Sequence, residues 1–219
     1  MILTGSEWLA RALHAVSQGL LVPVIVGLLV FFSYVLVELG ALLSEYRARR
    51  GLRPLKAGDL AHSLRATRDL HRVLNDGALP PVLREALAKV VNLRAISPGL
   101  RRAVARRILD EEEMRRARVV DRTDLMVRLG PALGLMGTLI PLGPGLAALG
   151  RGDVKGLAQA VIIAFDTTVV GLAVGGMAFF ISRVRRRWYQ DYLSILETLM
   201  ECVLEAVDRD EQEKVATGL

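Results

Sequence analysis

Two charge-poor stretches lie almost end to end in this chain. No charged residue occurs between Arg128 and Arg151, and between Lys155 and Arg183 there is only Asp166. Each stretch exceeds the ~20 residues a helix needs to cross the hydrocarbon of a bilayer. The pair therefore predicts a membrane hairpin with spans 129–150 and 156–182 joined by a short loop, 151–155. Small residues recur along both spans: Gly134, Thr138, Pro141, Gly145 and Ala148 in the first, and Ala164, Thr168, Gly171, Gly175, Ala178 and Ser182 in the second. Their spacing alternates between four and three, which at ~100° per residue keeps them on one face of each helix. Gly134, Gly145, Gly171 and Gly175 are thus candidate helix-packing positions, because small faces let membrane helices approach closely. One three-span chain cannot supply partners on every side of such faces, and the pattern predicts a homo-oligomer.

A third uncharged run, Ala12 to Val37, adds a span at 19–41, preceded by an amphipathic segment, 1–18, in which Trp8 sits at the membrane interface. The apolar centre, Leu20 to Leu36, is too long for a signal-peptide core and lacks a cleavage motif, so it reads as a retained anchor. The chain is 52% hydrophobic and 24% charged, which requires a substantial water-exposed part besides the lipid-exposed spans. Arg47, Arg49, Arg50 and Arg53 follow the first span, and Arg183, Arg185, Arg186 and Arg187 follow the third, whereas the hairpin loop has few charges. By the positive-inside rule both clusters are cytoplasmic, which puts the amino terminus outside and the carboxyl terminus inside an inner (cytoplasmic) membrane.

The remaining segments, 42–128 and 183–219, read as helical extensions on the cytoplasmic side. Gly58-Asp59 marks a helix start and Asn75-Asp76-Gly77 a stop, while Pro80-Pro81 opens a second helix to about Ala95. Ser97-Pro98 supplies the cap and first position of a long third helix that runs into the second span. After the third span a stripe containing Trp188, Tyr192, Ile195, Leu199, Val203 and Leu204 continues to about Val207. The predicted fold class is an all-α membrane protein: three transmembrane helices with long cytoplasmic helical extensions.

Catalytic patterns are missing, so no enzyme activity and no cofactor is expected. Cys202 is alone, His14, His62 and His71 are scattered, and no phosphate loop, nucleophile elbow or zinc motif occurs. The run Asp110 to Glu113 reads as the solvated side of the long helix, paired with Arg106, Arg107, Arg115 and Arg116, and not as a metal site. The net charge of +6 is mostly the topological signal. Basic residues interleave with acids and have no aromatic platform, so nucleic acid is not expected as a partner.

Within the hairpin, Gly130-Pro131-Ala132-Leu133-Gly134-Leu135-Met136-Gly137-Thr138 resembles the Leu-Gly-Leu-x-Gly-Thr motif of the MotA/TolQ/ExbB proton channel family. Ala164-Phe165-Asp166-Thr167-Thr168-Val169-Val170-Gly171-Leu172 is similar to that family's Ala-x-x-Thr-Thr-x-x-Gly-Leu motif. The resemblance is specific over Asp124 to Arg187, and the insert after the first span matches in position and helicity. It implies a pentameric ring in the membrane around single-span partners of the ExbD/TolR/MotB type, whose carboxylate carries the ion. Thr138 and Thr168, with Thr167 beside them, would be the hydroxyls of the ion path, passing protons or sodium inward. The complex would convert that flow into work, as in energy transduction coupled to protein transport. Helix rise gives an independent check. Thr138 lies ~14 Å from a boundary at Leu129 and Thr168 ~17 Å from one at Leu157, both near the middle of a ~30 Å core. The plainer alternative is that each hydroxyl only bonds back to a carbonyl one turn earlier.

Asp166 departs from the family pattern, which has an uncharged residue there, and Ile163 occupies the acidic position of some relatives. An intramembrane acid is expensive when charged and marks a function by default. Asp166 lies about 160° around the helix from the small face, on the side of Gln159. It therefore stands as a structural acid against the first span or a neighbouring subunit, or as a proton relay. Pro141 and Pro144 kink the second span and free carbonyls, serving the pore or only helix shape. Two other functions stay open: a membrane scaffold that recruits cytoplasmic partners without ion flux, and a transporter component that binds a solute among its spans.

Overall fold

The computed structural model describes residues 4–51, 81–91 and 96–216. Five helices make up these residues, and no strand occurs among them: α1 (Thr4–Gly19), α2 (Leu21–Gly51), α3 (Pro81–Val91), α4 (Pro98–Gly150) and α5 (Val154–Ala216). The helix boundaries expected at Gly58-Asp59 and Asn75 to Gly77 lie outside the described residues, as does the stretch between Val91 and Ala95. Three segments are long and apolar enough to span a membrane, within Glu7–Arg47, Pro98–Gly150 and Val154–Arg209. The 53 residues of α4 and 63 of α5 are each more than twice what a ~30 Å core requires at ~1.5 Å per residue. Both helices therefore continue beyond any span they contain.

The connection between α4 and α5 is tighter than the five-residue loop read from the sequence. The Asp153 N–H bonds to the Ala148 carbonyl at 3.0 Å and the Gly152 N–H to the Leu149 carbonyl at 2.9 Å, the paired bonds of a Schellman C-cap. Gly152 takes φ +80° at its left-handed position, which a glycine adopts without Cβ strain. Asp153 then caps α5, its carboxylate accepting from the Gly156 N–H at 2.9 Å. Cap follows cap directly, so α5 begins at Val154 and takes in two residues assigned to the loop.

One compact unit comprises the described residues up to Tyr46 together with Val120–Arg185. Its α4 and α5 segments meet along the small-residue faces. A Cβ placed on Gly134 would lie 3.2 Å from Gly171 Cα, one on Gly171 2.7 Å from the Gly130 carbonyl oxygen, and one on Gly175 2.7 Å from Pro131 Cγ. The small faces that the spacing offered to neighbouring subunits are thus occupied within the chain. The α2 helix packs on this pair through Val24 and Leu28 against Ile140, with Leu21, Leu133 and Val170 around them. At the other end of the unit Arg185 pairs with Glu38, and Tyr34 lies near Glu38 and Arg122.

The second unit comprises the described residues of Arg47–Val119 and Arg186–Leu219. Ala86 and Leu87 of α3, Ala105 of α4 and Leu196, Leu199, Met200, Cys202, Val203 and Val207 of α5 form its core. Each fully buried leucine there contributes ~2 kcal/mol relative to exposure. Cys202 is buried and unbonded, in the place of a small hydrophobe. Arg101, 0% exposed, donates to Asp208 at 2.6 Å and to the Ile96 carbonyl at 3.0 Å, and Arg102 reaches the same carboxylate at 3.0 Å. This tie, with the Arg209–Glu205 pair, accompanies helical order past Val207, where the apolar stripe ends, to Ala216. The acidic run is only partly solvated: Arg107 pairs with Glu111, whereas Glu112 turns inward to Arg116, which stacks 3.7 Å from the centre of the Tyr192 ring. Burial raises the Tyr192 phenol above its ordinary range, Arg116 opposing the shift.

Candidate functional site: a level of hydroxyls in the membrane hairpin

The site is built on the notch at Gly137. A Cβ there would fall 2.6 Å from Thr167 Cβ and 2.7 Å from Thr167 Oγ1, so only glycine admits the threonine. Three residues earlier, Gly134 faces Thr168 Cα at 3.6 Å by the same measure. These contacts bring Thr138, next to Gly137, to the level of Thr167 and Thr168 on the facing helix. Thr138 and Thr168 are half-buried, whereas Thr167 is buried in the notch, 8% exposed. Sequence reading grouped the three hydroxyls; the structure separates Thr167 as the one filling the helix contact.

Each hydroxyl donates to its own helix. Thr138 Oγ1 bonds to the Leu135 carbonyl at 2.6 Å and Thr168 Oγ1 to the Ala164 carbonyl at 3.0 Å, while Thr167 bonds to the Ile163 and Ala164 carbonyls at 2.9 and 3.0 Å. With the proton directed at the backbone, the oxygen lone pairs of Thr138 and Thr168 remain as acceptors. In this arrangement each oxygen can accept from a protonated carboxyl group or contact a cation.

Asp166 is exposed on the opposite side of α5, among Phe165 (68% exposed), Ile162 and Val169 (65% exposed). It is not enclosed by the chain's own first span. Pro141 is buried on the small-residue face and Pro144 is exposed. Four polar contacts in this unit escaped the sequence reading. The Ser182 hydroxyl donates to Asp124, Arg185 to Glu38, and the Gln18 side-chain amide to the Ile140 carbonyl at 3.3 Å, while Tyr34 approaches Arg122. A signal for the first existed: Asp124, Val127, Pro131 and Gly134 continue the three-and-four spacing of the small face. The others join residues far apart in sequence with no local periodicity to announce them. Among the described residues, no three His, Cys, Asp or Glu side chains converge as a metal site would need.

No curated protein matches the chain. The family model of the MotA/TolQ/ExbB proton channel family matches residues 75–198, more than half of its length and including the whole hairpin. The chain therefore belongs to the MotA/TolQ/ExbB proton channel family, a group of ion-channel subunits of membrane complexes and not a class of enzymes.

Proposed function

We propose that this chain is the ring-forming subunit of an ion-driven energy-transducing complex in an inner membrane, with five copies enclosing single-span partner helices. The observation that carries the reading is the single level of Thr138 and Thr168 on two adjacent spans, each hydroxyl presenting acceptor lone pairs. An acid on the partner helix gives up or takes a proton beside these acceptors, and the ion passes inward with the amino terminus outside and the extensions of α4 and α5 in the cytoplasm. Partner motion within the ring then carries the energy to work on the far side, protein transport among the candidates. Protons are the proposed ion. Two oxygens per subunit, each with its own proton directed at a carbonyl, also fit sodium, and the two ions separate in the assay below.

Support for an assembly comes from what the chain leaves uncovered. Only 17%, 33% and 22% of the three apolar windows are buried within it, and the exposed part includes a carboxyl group, Asp166, which lipid alone solvates poorly. The test is co-reconstitution with the single-span partner in liposomes under an imposed gradient, read by internal pH and by sodium uptake. Proton uptake that requires the partner supports the proposal; impermeable vesicles holding an intact complex contradict it.

A further inference from the structure

Pro144 has no N–H, so the Ile140 carbonyl four residues earlier has no intrahelical donor. A carbonyl inside a membrane span needs a replacement, because no water competes for it. The replacement is in place: Gln18 Nε2 donates to the Ile140 oxygen at 3.3 Å from 122 positions away. A glutamine amide suits the task, being a neutral donor on a side chain long enough to reach across a helix contact.

Its position is itself determined by the backbone. Gln18 lies in the last turn of α1, and helical bonding carries on across the junction with α2. The Leu20 N–H bonds to the Val16 and Ser17 carbonyls at 3.2 and 3.1 Å, and the Val24 N–H to the Leu20 carbonyl at 3.0 Å. The residues one to three turns further, Leu21, Val24 and Leu28, pack around the Ile140 side chain. Ile140 is thus held twice by the same stretch of chain, its side chain by apolar contact and its carbonyl by Gln18. It stands two residues from Thr138.

We infer that Gln18 is a positioning residue for the hydroxyl level: it supplies the hydrogen bond that Pro144 removes and so fixes the proline-interrupted part of α4 next to Thr138. The ion-path half of this inference rests on the proposed function; the hydrogen-bond half stands apart from it. The proline leaves one carbonyl of the helix without its donor, and a side chain from α1 takes the donor's place.

The test is a double-mutant cycle on the full-length protein. Gln18→Leu removes the donor at similar volume, and Pro144→Ala restores the backbone N–H at position 144, which makes Gln18 redundant. Thermal unfolding of the purified protein and proton flux in partner-containing liposomes are read for all four combinations. The expected result is a lowered unfolding midpoint and a several-fold loss of flux for Gln18→Leu beside Pro144, and no effect of the same substitution beside Ala at 144. Gln18→Asn, one methylene shorter, replaces Gln18→Leu in the cycle if the leucine variant fails to assemble. Equal losses in both backgrounds, or no loss beside Pro144, overturn the inference. If no combination conducts, the proposed function fails while the unfolding cycle still decides the role of Gln18.

Discussion

Gly137 and Thr167 show how one missing methyl group sets a site. Gly137→Ala forces a Cβ to within 2.6 Å of Thr167 Cβ, so the helices must separate or the threonine must leave its rotamer. We expect ~1–3 kcal/mol of destabilisation from this overpacking, read as a lower thermal midpoint in detergent. Gly143→Ala, which meets nothing within 4 Å, should leave the midpoint unchanged or slightly raised, because alanine is the better helix former. Asp166 makes a different prediction. As a hydrogen-bonding acid at an assembly contact it should tolerate Asp166→Asn, which keeps size and most hydrogen bonding, and lose assembly with Asp166→Leu, both followed by size-exclusion of the complex. Intact assembly with flux abolished in the asparagine variant would make it a proton carrier instead. At this scale the sequence was informative where a residue's role follows from helical phase, as for Gly134, Gly171 and Gly175. It was uninformative where two neighbours differ only in which side of a helix contact they fall, as Thr167 and Thr168 do. Adjacent residues are ~100° apart, and which of the two enters the Gly137 notch is decided by the facing helix.

The long helices are held at the far end by a charge buried with its partner. Asp208→Ala removes a carboxylate that pairs with the fully buried Arg101, and removing one member of a buried pair costs ~3–5 kcal/mol. The thermal midpoint should fall accordingly, while Arg107→Ala, breaking an exposed pair with Glu111, should lower the stability by less than ~0.5 kcal/mol. Tyr192 gives these elements a pH dependence. Its phenol pKa is raised above 10.0 by burial, so the folded state holds this proton more tightly than the unfolded chain. Stability contributed by the neutral phenol is complete below pH 10.0 and is lost as pH rises through the raised folded value. Tyr192→Phe should remove that alkaline loss, and the tyrosinate absorbance of Tyr192, taken by difference, should develop above the range of a free tyrosine. Helix starts at Pro81 and Pro98 were legible because proline at a first turn is a local signal. The continuation to Ala216 was not, because the ties that hold it, at Arg101 and Arg102, come from more than a hundred residues upstream.

For the whole molecule, the three spans and the family were readable from charge-free runs and two short motifs, since hydropathy and small-residue spacing both survive as linear patterns. What linear patterns could not say is that the small faces of the hairpin meet each other. The apolar surface and the acid left on the outside of the chain, and not those faces, are what a neighbouring subunit would cover. The account stands or falls on the Thr138 and Thr168 oxygens lying on an ion path. Its most direct test is proton flux through the complex with its single-span partner in liposomes, comparing the original chain with Thr138→Val and Thr168→Val. Valine keeps the threonine shape and removes the oxygen. The account predicts that flux falls by about tenfold or more, ~1.4 kcal/mol of barrier, in each variant while the mass of the intact complex is unchanged. Undiminished flux through an intact complex carrying both valines would contradict it.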